Sequence, residues 1–201
     1  MLTPPRRSAG FSLIELMVTI SLLAVLLALA VPAFGKWSAD AGTRGTAEQL
    51  TAALRLAQTS AITHNRTTMF ALTDATPAYN AKAVANGSNW FISLLPSAFG
   101  GETASSANLI QAVTFARQNR VTVTSDAAVV CFDSLGQQVA VADTLTGLSA
   151  ACSPHNDGSP TTYVVSRLDA TREFHVLVYR GGRIRMCDFA KKLANAPDGC
   201  P

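Results

Sequence analysis

The chain has 201 residues, 48% of them hydrophobic and only 14% charged, with a formal net charge of +3. Apolar residues are too many for a disordered chain, and the charge is too small for a protein whose overall field gathers nucleic acid or anionic membrane. Any anion-binding role has to come from a local patch.

In chain order, the first predicted element is a helix. Leu16 to Phe34 is a run of nineteen residues without a charge. At the helical rise of about 1.5 Å per residue it covers roughly 28 Å, close to a bilayer core. Arg6 and Arg7 flank it on the side expected to stay cytoplasmic, so the remainder of the chain is expected outside the cytoplasm. A secretory signal peptide fits poorly, because its apolar region is normally about 7–15 residues and ends in a small-residue cleavage site. A simple anchor accounts for the length but not for Glu15, a carboxylate at the start of the apolar run.

Beyond Pro32, Ala47, Leu50, Leu54, Ala57 and Ala61 recur at steps of three and four, which predicts that the helix continues with one buried face. Asn65 is a candidate left-handed cap, so the helix is expected from about Ser12 to about Asn65. Pro32 should kink or loosen it, and Gly35, Gly42 and Gly45 weaken the same stretch. After residue 66 the pattern changes to short β-like runs: Thr67–Leu72, Asn89–Leu95, Val121–Thr124, Val129–Phe132, Gln138–Val141, Thr161–Arg167, Phe174–Arg180 and Arg183–Cys187. Asn86-Gly87, Leu135-Gly136, Asp157-Gly158 and Gly181-Gly182 are the clearest turns, the last reading as a two-residue hairpin loop. Ala98–Asn108, rich in Gly, Ser and Ala, reads as a loop. The expected fold is α+β, a long N-terminal helix packed on antiparallel sheet in one globular domain.

The four cysteines, Cys131, Cys152, Cys187 and Cys200, lie in the last third of the chain, on the side where disulfides are permitted. They allow three pairings; Cys131 with Cys152 and Cys187 with Cys200 is favoured, because each closes a short segment containing Gly, Pro or Ser. No two have the close spacing of a zinc site, and His64, His155 and His175 are scattered. No metal or other cofactor is expected. Neither a nucleophile–base order, paired carboxylates nor a phosphate loop stands out, so the chain does not read as an enzyme.

Gly10-Phe11-Ser12-Leu13-Ile14-Glu15-Leu16 resembles the class III signal motif of type IV pilins and type II secretion pseudopilins. The resemblance implies a pilin-like fold, cleavage between Gly10 and Phe11 by prepilin peptidase, methylation of the new N-terminal Phe11, and a helix-loosening role for Pro32. It also implies that Glu15 is an assembly residue, meeting the positive N-terminus of a neighbouring subunit so that leaving the lipid for a filament relieves the cost of a carboxylate at the membrane edge. The expected organisation is then a leader at 1–10, a membrane-spanning and assembly helix at 11–35, and a periplasmic domain at 36–201, helical to about 66 and β beyond. Loss of Arg6 and Arg7 with the leader lowers the side-chain charge from +3 to +1. The expected location is the inner membrane, single-pass, and later a pilus or pseudopilus built with other pilins.

Asn89-Trp90-Phe91-Ile92, Cys131-Phe132-Asp133-Ser134-Leu135-Gly136 and Gly182-Arg183-Ile184-Arg185-Met186-Cys187 resemble the FimT/GspH group of minor pilins and pseudopilins. The Gly-Arg-x-Arg element in the last of these resembles the one with which FimT-type minor pilins hold DNA during natural transformation. On a strand, Arg183 and Arg185 would share a face about 7 Å apart, near the spacing of phosphates. With Arg180, Lys191 and Lys192 beside them and only Asp188 opposed, residues 180–192 carry a local +4. Guanidinium groups take phosphate bidentately, and none of these residues reads a base, so backbone binding without sequence preference is expected. The other reading is a purely structural subunit, a GspH-like pseudopilin of a secretion system or a pilus-initiating minor pilin, with the basic cluster a solvated hairpin end. Trp90 and Phe91 are expected in the core rather than on a base-stacking surface.

Overall fold

The structure is a computed structural model that describes residues 12–97, 102–103, 105–114, 120–148 and 150–201. The chain divides into two compact units, meeting between Ser38 and Ala39. One helix, α1 (Leu13–His64), contributes to both and runs uninterrupted through position 32.

In the first unit the apolar side chains are exposed, among them Leu13, Leu22, Leu29, Phe34 and Trp37. An 18-residue window here has a mean hydropathy of 2.6, long and apolar enough to cross a membrane. A helix that is apolar all round needs lipid or other helices to cover it. Two hydroxyls within its apolar run are satisfied by the helix itself: Thr19 Oγ1 donates to Leu16 O at 2.8 Å and Ser21 Oγ to Met17 O at 2.7 Å. Such bonding to the preceding turn lets Ser and Thr sit in an apolar surrounding without water. Glu15 lies in the first turn of α1, where the positive helix end favours a carboxylate.

The second unit holds the core. The later part of α1 buries Ala47, Leu50, Leu54, Ala57 and Ala61, the predicted face, and leaves Arg44 and Glu48 paired at 2.8 Å on the solvent side. It ends as expected. Asn65 has φ 50, Arg66 N donates to Ala61 O and Asn65 N to Ile62 O, the two bonds of a left-handed helix stop.

Among the described residues nine strands follow: β1 (Thr68–Thr73), β2 (Asn89–Leu94), β3 (Leu109–Thr114), β4 (Val121–Ser125), β5 (Val129–Phe132), β6 (Thr161–Arg167), β7 (Phe174–Val178), β8 (Ile184–Lys192) and β9 (Gly199–Cys200). They form two sheets, ordered β3-β2-β1-β5 and β4-β6-β7-β8-β9. Inward residues of both meet α1 in one cluster, including Phe70, Trp90 and Phe132 from the first sheet and Tyr163, Val165 and Val176 from the second. The other face of the first sheet is covered too, by Ala81, Ala83, Leu148 and Cys152 from connecting segments. That double cover explains why β1 is buried along its whole length rather than alternately.

Four readings need correction. Gln138–Val141 is not a strand: Gln138 bridges only Phe132 and Val141 only Cys152, because the turn at Asp133–Gly136 and the bond from Gln138 N to Arg180 O divert the segment. The sheet is not wholly antiparallel, since β8 and β9 pair in parallel. β3 escaped the strand reading because an edge strand with Gln, Ala and Thr carries little alternation. The stretch read as a loop at 98–108 contains a 3-10 turn at Ser106–Asn108, while 98–101 and 104 lie outside the described residues.

Asp40, near the start of the second unit, ties α1 to the loop between β6 and β7. Its carboxylate accepts Thr171 N at 2.7 Å, Thr171 Oγ1 at 2.6 Å and Arg172 N at 3.0 Å. Partial burial opposes the charged form, but these bonds and the Arg172 charge outweigh it and hold the carboxyl below its ordinary value. A depressed folded pKa stabilises above the unfolded value and loses that contribution as pH falls through the folded one. Wild type should therefore exceed Asp40→Asn in stability above about pH 4, with the difference closing on further acidification. Urea melts of both proteins across this range check it; a difference independent of pH contradicts the assignment.

Candidate nucleic-acid interface

The basic residues gather around the β7–β8 turn. Tyr179 O accepts Gly182 N at 2.8 Å and Arg183 O accepts Tyr179 N at 2.9 Å, so the loop has three residues, Arg180-Gly181-Gly182, rather than the expected two. Gly182 sits at φ +83, the left-handed position such a loop requires. Arg183 therefore precedes β8 instead of opening it.

Two glutamines fix this turn from inside. Gln58, on α1, donates through Nε2 to Gly136 O and Gly182 O, each at 2.7 Å. Gln138 donates through its backbone N to Arg180 O at 2.9 Å and through Nε2 to Val178 O at 3.1 Å. The carbonyls of 178, 180 and 182 are thus all held on the inner side, and Arg180, Gly181 and Arg183 are exposed. The Arg183 guanidinium lies 4.0 Å from the centroid of the Tyr179 ring, a cation–π contact that leaves its N–H edges free for an anion. The Arg180 side chain has no partner among the described residues.

The other three cations differ. Arg185 Nη2 donates to Pro197 O and Gly199 O, both at 2.9 Å. Lys191 pairs with Asp198 and holds that carboxyl below its ordinary value. Lys192 is exposed at the end of β8. The expectation of Arg183 and Arg185 as an equivalent pair on one strand is therefore corrected: one is open at a turn, the other is engaged by backbone carbonyls. Asp188 is buried and faces Arg172, 3.7 Å away, rather than the turn.

Disulfides join Cys131 to Cys152 and Cys187 to Cys200. The second ties β9 beside β8 and so holds the segment that engages Arg185 and Lys191. Trp90 and Phe91 are core residues, 3% and 0% exposed. The histidines, unpartnered on sequence alone, acquire neighbours: His64 bonds Ser60 O, His155 pairs with Asp126 and His175 with Glu173. Among the described residues no three His, Cys, Asp or Glu side chains converge as a metal site needs. Gly10 and Phe11 lie outside the described residues, and Glu15 is exposed in the first turn of α1.

Sequence reasoning missed Gln58, Gln138 and Tyr179. The glycine turns were visible, but nothing local marks a glutamine that reaches carbonyls 78 and 124 residues away. Tyr179 could have been found, since a three-residue loop places it opposite Arg183.

Residues 5–31 match the prokaryotic N-terminal methylation motif, and residues 46–182 match the family described as type II transport protein GspH. The family match stops at Gly182, so Arg183, Arg185, Lys191 and Lys192 lie beyond it. No curated protein matches. Two crystal forms of the type IV minor pilin FimU from Pseudomonas aeruginosa strain PAO1 are similar at 16% and 15% identity, each with a TM-score of 0.46. They cover 79% of this chain and, respectively, 99% and 94% of theirs.

Proposed function

The chain belongs to the type II transport protein GspH family, its N-terminus carrying a methylation motif, and on that premise we propose that it is a minor type IV pilin that holds DNA by its phosphates during uptake for natural transformation. The pilin-like role rests on the motif and the family. The DNA role rests on one observation: Arg180 and Arg183 are presented outward on a turn whose carbonyls at 178, 180 and 182 are bonded inward, so two guanidinium groups stand ready without a carboxylate among the described residues to neutralise them. The backbone of the turn is ordered beforehand and the Arg183 guanidinium is already held over Tyr179, so less freedom is lost on meeting a phosphate. Weak single sites become effective when several subunits of one filament engage the same DNA.

A mobility shift of labelled duplex DNA by the full chain in detergent tests this reading. Binding should weaken steeply as salt is raised and should not depend on sequence. Failure to shift DNA at low salt would favour the structural subunit, a pseudopilin of a secretion system or a pilus-initiating pilin; Arg185 and Lys191, engaged within the chain, are what speaks for that alternative.

Assembly follows the same premise. Prepilin peptidase removes residues 1–10 and Phe11 is methylated; the apolar helix anchors the protein in the inner membrane until it joins other pilins, with the domain on the periplasmic side. Intact mass of protein from its native membrane should show both changes, and Glu15→Ala should enter the membrane yet join filaments poorly. A mature chain still beginning at Met1 contradicts this.

A further inference from the structure

On the outer face of the β7–β8 hairpin the register runs from the arginine turn to a second feature. Leu177 pairs with Arg185 and His175 with Cys187, and Phe189 N donates to Glu173 O at 3.0 Å. Phe189 is 60% exposed on a strand whose inward residues belong to the core. Its ring is not loose: it stacks on His175, centroids 4.5 Å apart and planes 24° from parallel. His175 is in turn fixed through Nε2, 2.7 Å from Glu173 Oε1, and its side chain is only 14% exposed. One face of the phenyl ring is therefore backed by a held imidazole while the ring stays open to solvent. By strand alternation Phe189 projects to the same side as Arg185, and it lies about 20 Å along the strand from Arg183, itself poised over Tyr179.

We infer that the site takes single-stranded nucleic acid, with phosphates at Arg180 and Arg183 and an unpaired base stacked on Phe189. A duplex keeps its bases stacked on one another and offers nothing to an exposed ring, whereas every unpaired base has a π-face to present. An aromatic ring set a short way along a strand from free guanidinium groups is how sequence-tolerant proteins hold a single strand, over sites of about 4–16 nucleotides. The Glu173 carboxylate beside the ring is engaged by His175 Nε2 at 2.7 Å. The inference rests on the DNA reading above and narrows its substrate.

The test compares binding of an oligothymidylate of about twelve nucleotides and a duplex of the same length by the full chain in detergent. Wild type should prefer the single strand. Phe189→Leu, which keeps an apolar side chain at an exposed position and removes only the ring, should lower single-strand affinity about 5- to 100-fold, the loss of one base stack, and leave duplex binding within about twofold. Phe189→Trp should keep the preference, Arg183→Gln should weaken both ligands, and thermal melts should confirm that all three variants fold. If Phe189→Leu binds the single strand as wild type does while Arg183→Gln does not, the stack is wrong and the DNA reading stands. If Phe189→Leu instead loses only filament incorporation, the ring packs against a neighbouring pilin and the inference is overturned. If wild type binds neither ligand, both readings fall.

Discussion

Gly182→Ala should destabilise the domain by about 3–5 kcal/mol and abolish the arginine turn. The added Cβ would lie 2.1 Å from Gly136 O and 2.6 Å from Gln58 Nε2, at a φ of +83. The left-handed backbone alone costs a non-glycine residue about 1–2 kcal/mol. Displacing Gln58 leaves two carbonyls and an amide short of bonds, each worth about 1 kcal/mol or more when buried. In a domain of this size each kcal/mol shifts the melting temperature by about 2–4 °C, so a fall of roughly 6–20 °C is expected. Gly181→Ala is the control, since nothing lies within 4 Å of its Cβ and its φ is not positive. Gly136→Ala should fall between the two: it shares the left-handed backbone at φ +77, but its nearest neighbour is the tip of Ile62, which can move. A Gly182→Ala protein melting like wild type would mean that Gln58 does not hold the two turns together.

Arg180→Gln with Arg183→Gln should leave the fold intact and remove DNA binding. Both side chains are exposed, and Arg183 gives up only its contact with Tyr179, about 0.5–1 kcal/mol at such a site. Two lost phosphate contacts should make the salt dependence shallower by about 1.8, and affinity should fall about tenfold or more per contact, as hydrogen bonds to charged groups are worth about 1.5–3 kcal/mol. Binding should weaken alike for every sequence tested. Arg185→Gln should do something different: it frees Pro197 O and Gly199 O, loosening β9 with little change in the salt slope. In a competent host the double variant should assemble pili yet transform poorly. Transformation that survives, or piliation that fails with it, would point to the structural subunit instead.

These predictions divide along the line between what the sequence shows and what it hides. The helix stop at Asn65 was legible because both of its causes are local, the three-and-four spacing of the alanines and leucines and the ability of Asn to take a positive φ. The turns at Gly136, Gly158 and Gly182 were legible for the same reason. Strands β5 and β6 have the expected boundaries, being bounded by turn residues and rich in Val, Thr and Tyr. β9 was not legible, because two residues have no pattern of their own and pair only where Cys187–Cys200 and the turn before them bring the chain back. The division of the basic cluster was hidden for a related reason. Arg185 is engaged by backbone carbonyls, which every residue has, so nothing in the sequence distinguishes it from Arg183.

The central claim, that DNA phosphates are held at the β7–β8 turn, is tested most directly by following the Arg Nε–H resonances of the full chain in detergent while duplex DNA is added at low salt. The account predicts that the Arg180 and Arg183 signals shift and broaden with DNA and return as salt is raised, while the Arg185 signal, tied to Pro197 and Gly199, moves little. Unchanged Arg180 and Arg183 signals at saturating DNA, or shifts confined to another part of the surface, would contradict it.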